Sequence, residues 1–177
     1  MASRRDGLAA TDAADVGRSV KLKISGGGAL KSYLREVANR VGGGKAVRVG
    51  FLEGADYPPN HPVRGTPQQV QPVAQVAFFN EFGTKRAPPR PFFRSMIADK
   101  SPEWGPALGM ALKRTDYNGM QSLKLLGEGI SDQLRTSIQT FSDPPNAPAT
   151  VAIKGFNAPL RDSEIMARAV DYEVVKG

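Results

Sequence analysis

The sequence predicts an α+β chain: a small antiparallel sheet of three to four strands packed by helices, with long proline-rich loops and a mobile N-terminal arm. Three observations lead there. Val20-Lys21-Leu22-Lys23-Ile24 alternates apolar and basic residues at period two, and Ala46 to Leu52 and Tyr172 to Val175 are apolar-rich runs of strand length. Longer stretches repeat apolar residues at steps of three and four, the mark of helices that bury one side. Prolines gather in residues 54–72, 88–91 and 144–159, where a fixed φ and missing amide donors favour loops. At 177 residues the length suits one sizeable core, so residues 19–177 are expected to form a single α+β domain behind an arm at 1–18.

Residues 1–18 hold three arginines and three aspartates among small residues, with Leu8 and Val16 as the substantial aliphatics, too little apolar surface to offset the entropy of ordering. Such an arm can order on a neighbouring subunit. The alternating strand at 20–24 ends at Gly26-Gly27-Gly28, and Leu30, Leu34, Val37 and Val41 form one stripe of a helix that Gly42-Gly43-Gly44 stops. A strand at 46–52 completes a strand-helix-strand opening. Residues 54–72 read as a long loop, a candidate for contact with a neighbour or a central channel.

Val73, Val76 and Ala77 then repeat at helical spacing, and the same row reaches Asn80, an amide that needs partners on an apolar face. Gly83 reads as the left-handed stop of that helix. Pro88, Pro89 and Pro91 impose an extended bend, after which Phe92, Phe93, Met96 and Ile97 give a second helix its apolar side, with Pro91 in the first turn. Ser101-Pro102-Glu103 has the form of a cap, a first-turn proline and a first-turn acid, so a new helix is expected there, carrying Trp104, Leu108, Ala111 and Leu112. Asp116-Tyr117-Asn118-Gly119 breaks it. Leu123, Leu126, Ile130, Leu134, Ile138 and Phe141 keep to one side of the longest amphipathic helix, about five turns. Residues 142–163 return to proline-ruled loop with a helical turn near Val151 to Lys154, and Tyr172 to Val175 closes the chain as a strand.

The inventory for catalysis is poor. There is no cysteine and one histidine, His61, set among Pro58, Pro59, Asn60 and Pro62, so Cys-His and zinc chemistry find no ligand set, and neither a cofactor nor a metal is expected. Gly42-Gly43-Gly44-Lys45 lacks the Ser or Thr of a phosphate loop and leads into a strand instead of a helix. Glu53, Asp56 and Glu81 show no Asp-x-Asp spacing and read as solvated carboxylates. No apolar run reaches membrane-spanning length and no cleavable signal is visible, so no membrane partner is expected. The net charge of +7 favours polyanions, although no block of five or six like charges occurs.

The most identifying stretch is the bend itself. Asn80-Glu81-Phe82-Gly83-Thr84, followed by Pro88-Pro89-Arg90-Pro91-Phe92-Phe93-Arg94, resembles a pattern of the tail-completion or head-tail joining family of long-tailed bacteriophages, in which Asn-Glu-Phe-Gly-Thr leads into Pro-x-Arg-Pro-Phe-hydrophobic-Arg. Pro144 to Gly155 and Pro159-Leu160-Arg161-Asp162-Ser163 resemble the closing pattern of the same family, a proline loop, a short helix with Lys-Gly and a Pro-Leu-Ile-Asp-Thr-Gly turn before the last strand. Here Arg161, Ser163 and Glu164 replace Ile, Thr and Gly.

The resemblance implies a non-enzymatic virion protein, assembled in the host cytoplasm and located at the neck or tail end. It would form a homo-oligomeric ring, commonly a hexamer, that completes the tail or neck and meets the head connector or adaptor, the tail terminator or the tail tube. On that basis Asn80, Glu81, Phe82, Arg86, Arg90 and Arg94 are candidate subunit-interface residues, the guanidiniums suiting bidentate pairing across subunits. Phe78, Phe79, Phe82, Phe92 and Phe93 also read as core aromatics, with Asn80 capping a helix end. The alternative function is sequence-independent DNA binding that holds or gates the genome end, with Lys21, Lys23, Arg48 and the corner arginines facing phosphates.

Overall fold

The computed structural model describes residues 27–42, 45–51, 53–58, 70–161 and 164–176. The expected arm at 1–18, the strand at 20–24 with Lys21 and Lys23, and His61 lie outside the described residues. Within them the chain runs α1 (Gly27–Val41), β1 (Lys45–Phe51), β2 (Asp56–Tyr57), β3 (Gln71–Pro72), α2 (Val73–Phe82), α3 (Phe92–Arg114), α4 (Gly119–Thr140), α5 (Pro148–Lys154), α6 (Ile165–Arg168) and β4 (Val170–Lys176). It is a mixed α+β fold whose strands pair antiparallel.

The pairing is divided between two places among the described residues. β1 and β4 form a two-stranded ribbon in register from Lys45 opposite Lys176 to Phe51 opposite Val170. β2 and β3 pair for two residues, Asp56 with Pro72 and Tyr57 with Gln71, and the Val73 amide adds a bond to the Ala55 carbonyl at 2.8 Å. The segment read as one long loop is therefore clasped at its base, where Pro72 sits at the strand end, a place that tolerates its missing donor.

α4 organises the rest. It packs on α3 along one side and on β1, β4 and α6 along others. The core lies around its C-terminal half, where Leu134 and Ile138 meet Val73 and Ala77 of α2, Phe92 and Met96 of α3, Met166 of α6 and Val170 of β4. Of the predicted stripe, Ile130, Leu134 and Ile138 are buried, whereas Leu123, Leu126 and Phe141 are half-buried. Gly127 explains part of the shift: a Cβ there would press into the Tyr172 ring and come within 2.9 Å of Val47 Cγ2, so the ribbon crosses the helix at a missing side chain. Periodicity weighs large apolar residues and passes over such a contact.

Two expectations are corrected. No new helix starts at Ser101: α3 runs unbroken through Pro102 and Pro106. Both prolines are exposed, as is Ala98, so the carbonyls that lose an amide partner, those of Ala98 and Pro102, stand on the wet side of the helix where water replaces it. Gly83 is not in the left-handed helical region; its φ of 77° and ψ of 178° belong to a region essentially confined to glycine. The break after α3 is as read from the sequence. Asp116 and Tyr117 take positive φ, and the Asn118 side chain caps α4 by accepting from the Gln121 amide at 3.1 Å.

Candidate functional site

The corner between α2 and α3 is cross-bonded to itself at nearly every residue of the pattern. The Thr84 amide donates to the Ala87 carbonyl at 2.9 Å, and Thr84 Oγ1 accepts from the Arg86 and Ala87 amides at 3.2 and 3.1 Å, closing a tight turn. Pro89 then folds back so closely that a Cβ on Gly83 would lie 2.8 Å from its nitrogen. The Arg90 amide donates to the Asn80 carbonyl at 2.7 Å, which joins the end of α2 to the start of α3 across the proline bend.

Glu81 is the hub. Its side chain is buried, and its carboxylate accepts from the Phe93 amide at 2.9 Å, the Arg94 amide at 3.1 Å and Arg94 Nε at 2.8 Å. Pro91, the residue at the cap position of α3, makes no side-chain cap bond, so an acid from the preceding helix serves in its place. The carboxylate satisfies two orphan amides and sits at the positive end of the helix dipole. Arg94 completes the link by donating from Nη2 to the Glu81 carbonyl at 3.1 Å, and its guanidinium lies 4.8 Å over the Phe82 ring. The cross-subunit pairing expected of Glu81 and Arg94 is thus an internal one: the acid is saturated within its own chain.

Asn80 and Arg90 are likewise used inside. Asn80 Nδ2 donates to the Val76 carbonyl at 2.9 Å, so the amide on the apolar row does find partners, and its Oδ1 accepts from Arg90 Nη1 at 3.3 Å. Arg90 Nη2 donates to Asn146 Oδ1 at 3.3 Å, and the Asn146 backbone amide donates in turn to Asn157 Oδ1 at 3.0 Å. Burial pulls the Arg90 pKa down, since its neighbours are neutral amides and no carboxylate offsets the lost hydration. Arg90 Nε and Asn146 Nδ2 are shut from solvent and have no hydrogen-bond partner among the described residues. Asn146 is a member that sequence reasoning missed, because its partner lies 56 residues away and its own setting is a proline loop.

The phenylalanines divide. Phe92 is fully buried and Phe93 half-buried, but Phe78, Phe79 and Phe82 are 56%, 46% and 53% exposed, which overturns their expected place in the core. α2 is apolar on almost every side, so its burial is decided by the neighbours, and the core takes the Val73, Ala77 and Glu81 side. The three rings form a ladder, Phe78 to Phe82 at 4.7 Å and Phe78 to Phe79 at 6.1 Å between centroids. Arg86, four residues after Phe82 in the chain, is exposed and forms no ion pair among the described residues.

The closing pattern is also locked by its own residues. Gly155 ends α5 in the left-handed conformation with φ 78°, and Lys154 Nζ donates to the Arg161 carbonyl at 2.7 Å, tying α5 to the turn that follows. Glu164 has φ 58° and ψ 4°, a left-handed residue that favours glycine. Of the DNA-facing candidates, Arg48 is exposed but pairs with its cross-strand neighbour Glu173 at 3.6 Å. Among the described residues no group of three or more His, Cys, Asp or Glu side chains is placed to hold a metal ion, and no helix is long and apolar enough to cross a membrane. Comparison with protein-family models, with curated proteins and with solved structures finds no match.

Proposed function

We propose that this chain is a non-enzymatic structural protein of a long-tailed phage particle, forming a homo-oligomeric ring at the head-tail junction that completes the tail or neck and joins it to the head connector. The observation that carries the proposal is the division of labour in the corner. Glu81, Asn80, Arg90 and Arg94 hold it rigid from within, and the rigid piece presents Phe78, Phe79, Phe82 and Arg86 to solvent. The three rings expose on the order of 300 Å² of apolar surface, within the range of the largest patch on a typical monomer, which is often functional. Preorganised aromatic and arginine surface is what a repeated heterologous interface needs to close a ring without a large ordering penalty.

The closing pattern gives further support. Where the family pattern has glycine, this chain has Glu164, and the backbone there is left-handed, so the glycine geometry is kept although the residue is not. The finer fold expectation, a sheet of three to four strands, belongs to the same proposal: β1 and β4 pair with no third strand among the described residues, leaving edges where one can add. The partners are then the connector or adaptor and the tail terminator or tube, with genomic DNA as a non-specific contact favoured by the +7 charge and by exposed Lys85 and Arg86.

The test is loss of the protein from the particle. Particles made without it should accumulate as filled heads and separate tails in electron micrographs; joined, infective particles would rule the role out. For the DNA contact, a short duplex should bind at low salt and release steeply as salt is added, and no binding at low salt removes it.

A further inference from the structure

A heterologous contact joins two different surfaces of the same chain, so the convex ring ladder of α2 calls for a concave receiver elsewhere on the molecule. Such a surface lies between α3 and α4, a groove of about 540 Å³ walled by Trp104, Met110, Leu125 and Leu126 together with the exposed Glu103 and Arg114. Met110 is 68% exposed, more than any other large apolar side chain among the described residues. Trp104 already donates its indole N–H to Gln133 Oε1 at 2.9 Å, so its ring is what it has left to offer. Gly129 also lines the groove, and a Cβ there would meet no atom within 4 Å, which leaves the backbone open to close approach from outside. Ladder and groove cannot meet within one chain. Arg94, whose guanidinium lies over Phe82, and Glu103 are nine residues apart on α3, about two and a half turns, so they point to opposite sides of the helix.

We propose that the Phe78, Phe79 and Phe82 ladder of one copy lies in the α3–α4 groove of the next, which names the receiving surface of the ring contact and rests on the ring reading for its closure. The charges set the direction. Arg94 uses Nε and Nη2 on Glu81 and leaves Nη1 unbonded among the described residues, while Glu103 has Lys100 at 3.6 Å, a lysine that stands closer to Asp99 at 3.1 Å. Phe82 with Arg94 therefore meets the Glu103 end, and Phe78 meets Met110 with Arg114 beyond it, where sulfur and guanidinium both favour an aromatic ring. The area fits a ring better than a pair. Ladder and groove together bury about 600 Å², roughly half of what a stable two-body complex needs, whereas each subunit of a closed ring makes the contact twice and cannot leave by breaking one.

The test uses the full chain with the photoreactive residue p-benzoylphenylalanine in place of the exposed Phe78, as a mixture of isotopically heavy and light copies. Irradiation followed by peptide mapping should place the adduct within residues 103–114 or 125–133 and should join heavy copies to light ones. Gly129→Leu fills the groove with a good helix former whose Cβ meets no neighbour, so it should lower the yield roughly tenfold while the thermal midpoint of the subunit holds or rises. Glu103→Lys should lower it several-fold by setting two cations together. Adducts within one copy, adducts on α1, or a yield indifferent to Gly129→Leu would overturn the docking. Failure of the docking and failure of the ring reading look different. If native mass spectrometry finds the same ring in wild type and Gly129→Leu, the ring stands and the docking falls. If adducts map to the groove but particles made without the protein still join, the docking stands as self-association and the neck role falls.

Discussion

The corner at residues 80–94 and helix α1 make an instructive pair, because both carry a clear apolar pattern and the fold treats them in opposite ways. The corner has Phe92 in the core and nearly every polar group of its pattern bonded inside the chain. α1 leaves Leu30, Tyr33 and Leu34 more than half exposed and is held at its C-terminal end, where Arg40, bonded to Glu36 of the same helix, pairs with Asp116 and where Val41 lies against Gly119. An apolar stripe states that a helix has a side to cover. It does not state who covers it. A polar residue inside a stripe, such as Asn80, is more informative, since its bonds must be found nearby.

The comparison breaks most readily at the core end. Phe92→Ala should lower unfolding free energy by about 3–5 kcal/mol, read by urea denaturation, because the ring is enclosed and its removal leaves a cavity in the core. Glu81→Ala comes next, at about 2–3 kcal/mol, since two helix amides and a guanidinium lose a charged acceptor. Gly83→Ala should cost about 1–3 kcal/mol: the positive φ resists a Cβ, and the nearest atom is Pro89 backbone that has no rotamer to yield. On the α1 side, Leu30→Ser with Leu34→Ser should move the stability of the isolated subunit by no more than about 0.5 kcal/mol. A large loss there would mean that α1 is part of the core and the contrast is false.

Legibility in the sequence followed the range of the interaction. β1, β4, α2 and α4 were readable from spacing, and the turn at 116–119 from its composition, because those signals are local. The continuity of α3 was not: a proline in a first turn and a proline on the wet side of a helix look alike in sequence, and only the exposure of Ala98, Pro102 and Pro106 in the fold tells them apart. Within the candidate site, the need of Asn80 for partners and the closeness of Glu81 to arginine were visible. That Glu81 would turn inward was not, since two of its donors are backbone amides, which every residue but proline offers. Asn146 and the outward rings of α2 depend on how distant elements meet, and no local pattern carries that.

Native mass spectrometry of the purified full chain over a concentration series, wild type beside Phe82→Ser, tests the central claim most directly. A rigid corner that works by adhesion predicts a closed oligomer of one stoichiometry for the wild type. In the Phe82→Ser chain that oligomer should be lost, while subunit stability falls by less than about 1 kcal/mol. Both chains remaining strictly monomeric, or both forming the same oligomer, would contradict it.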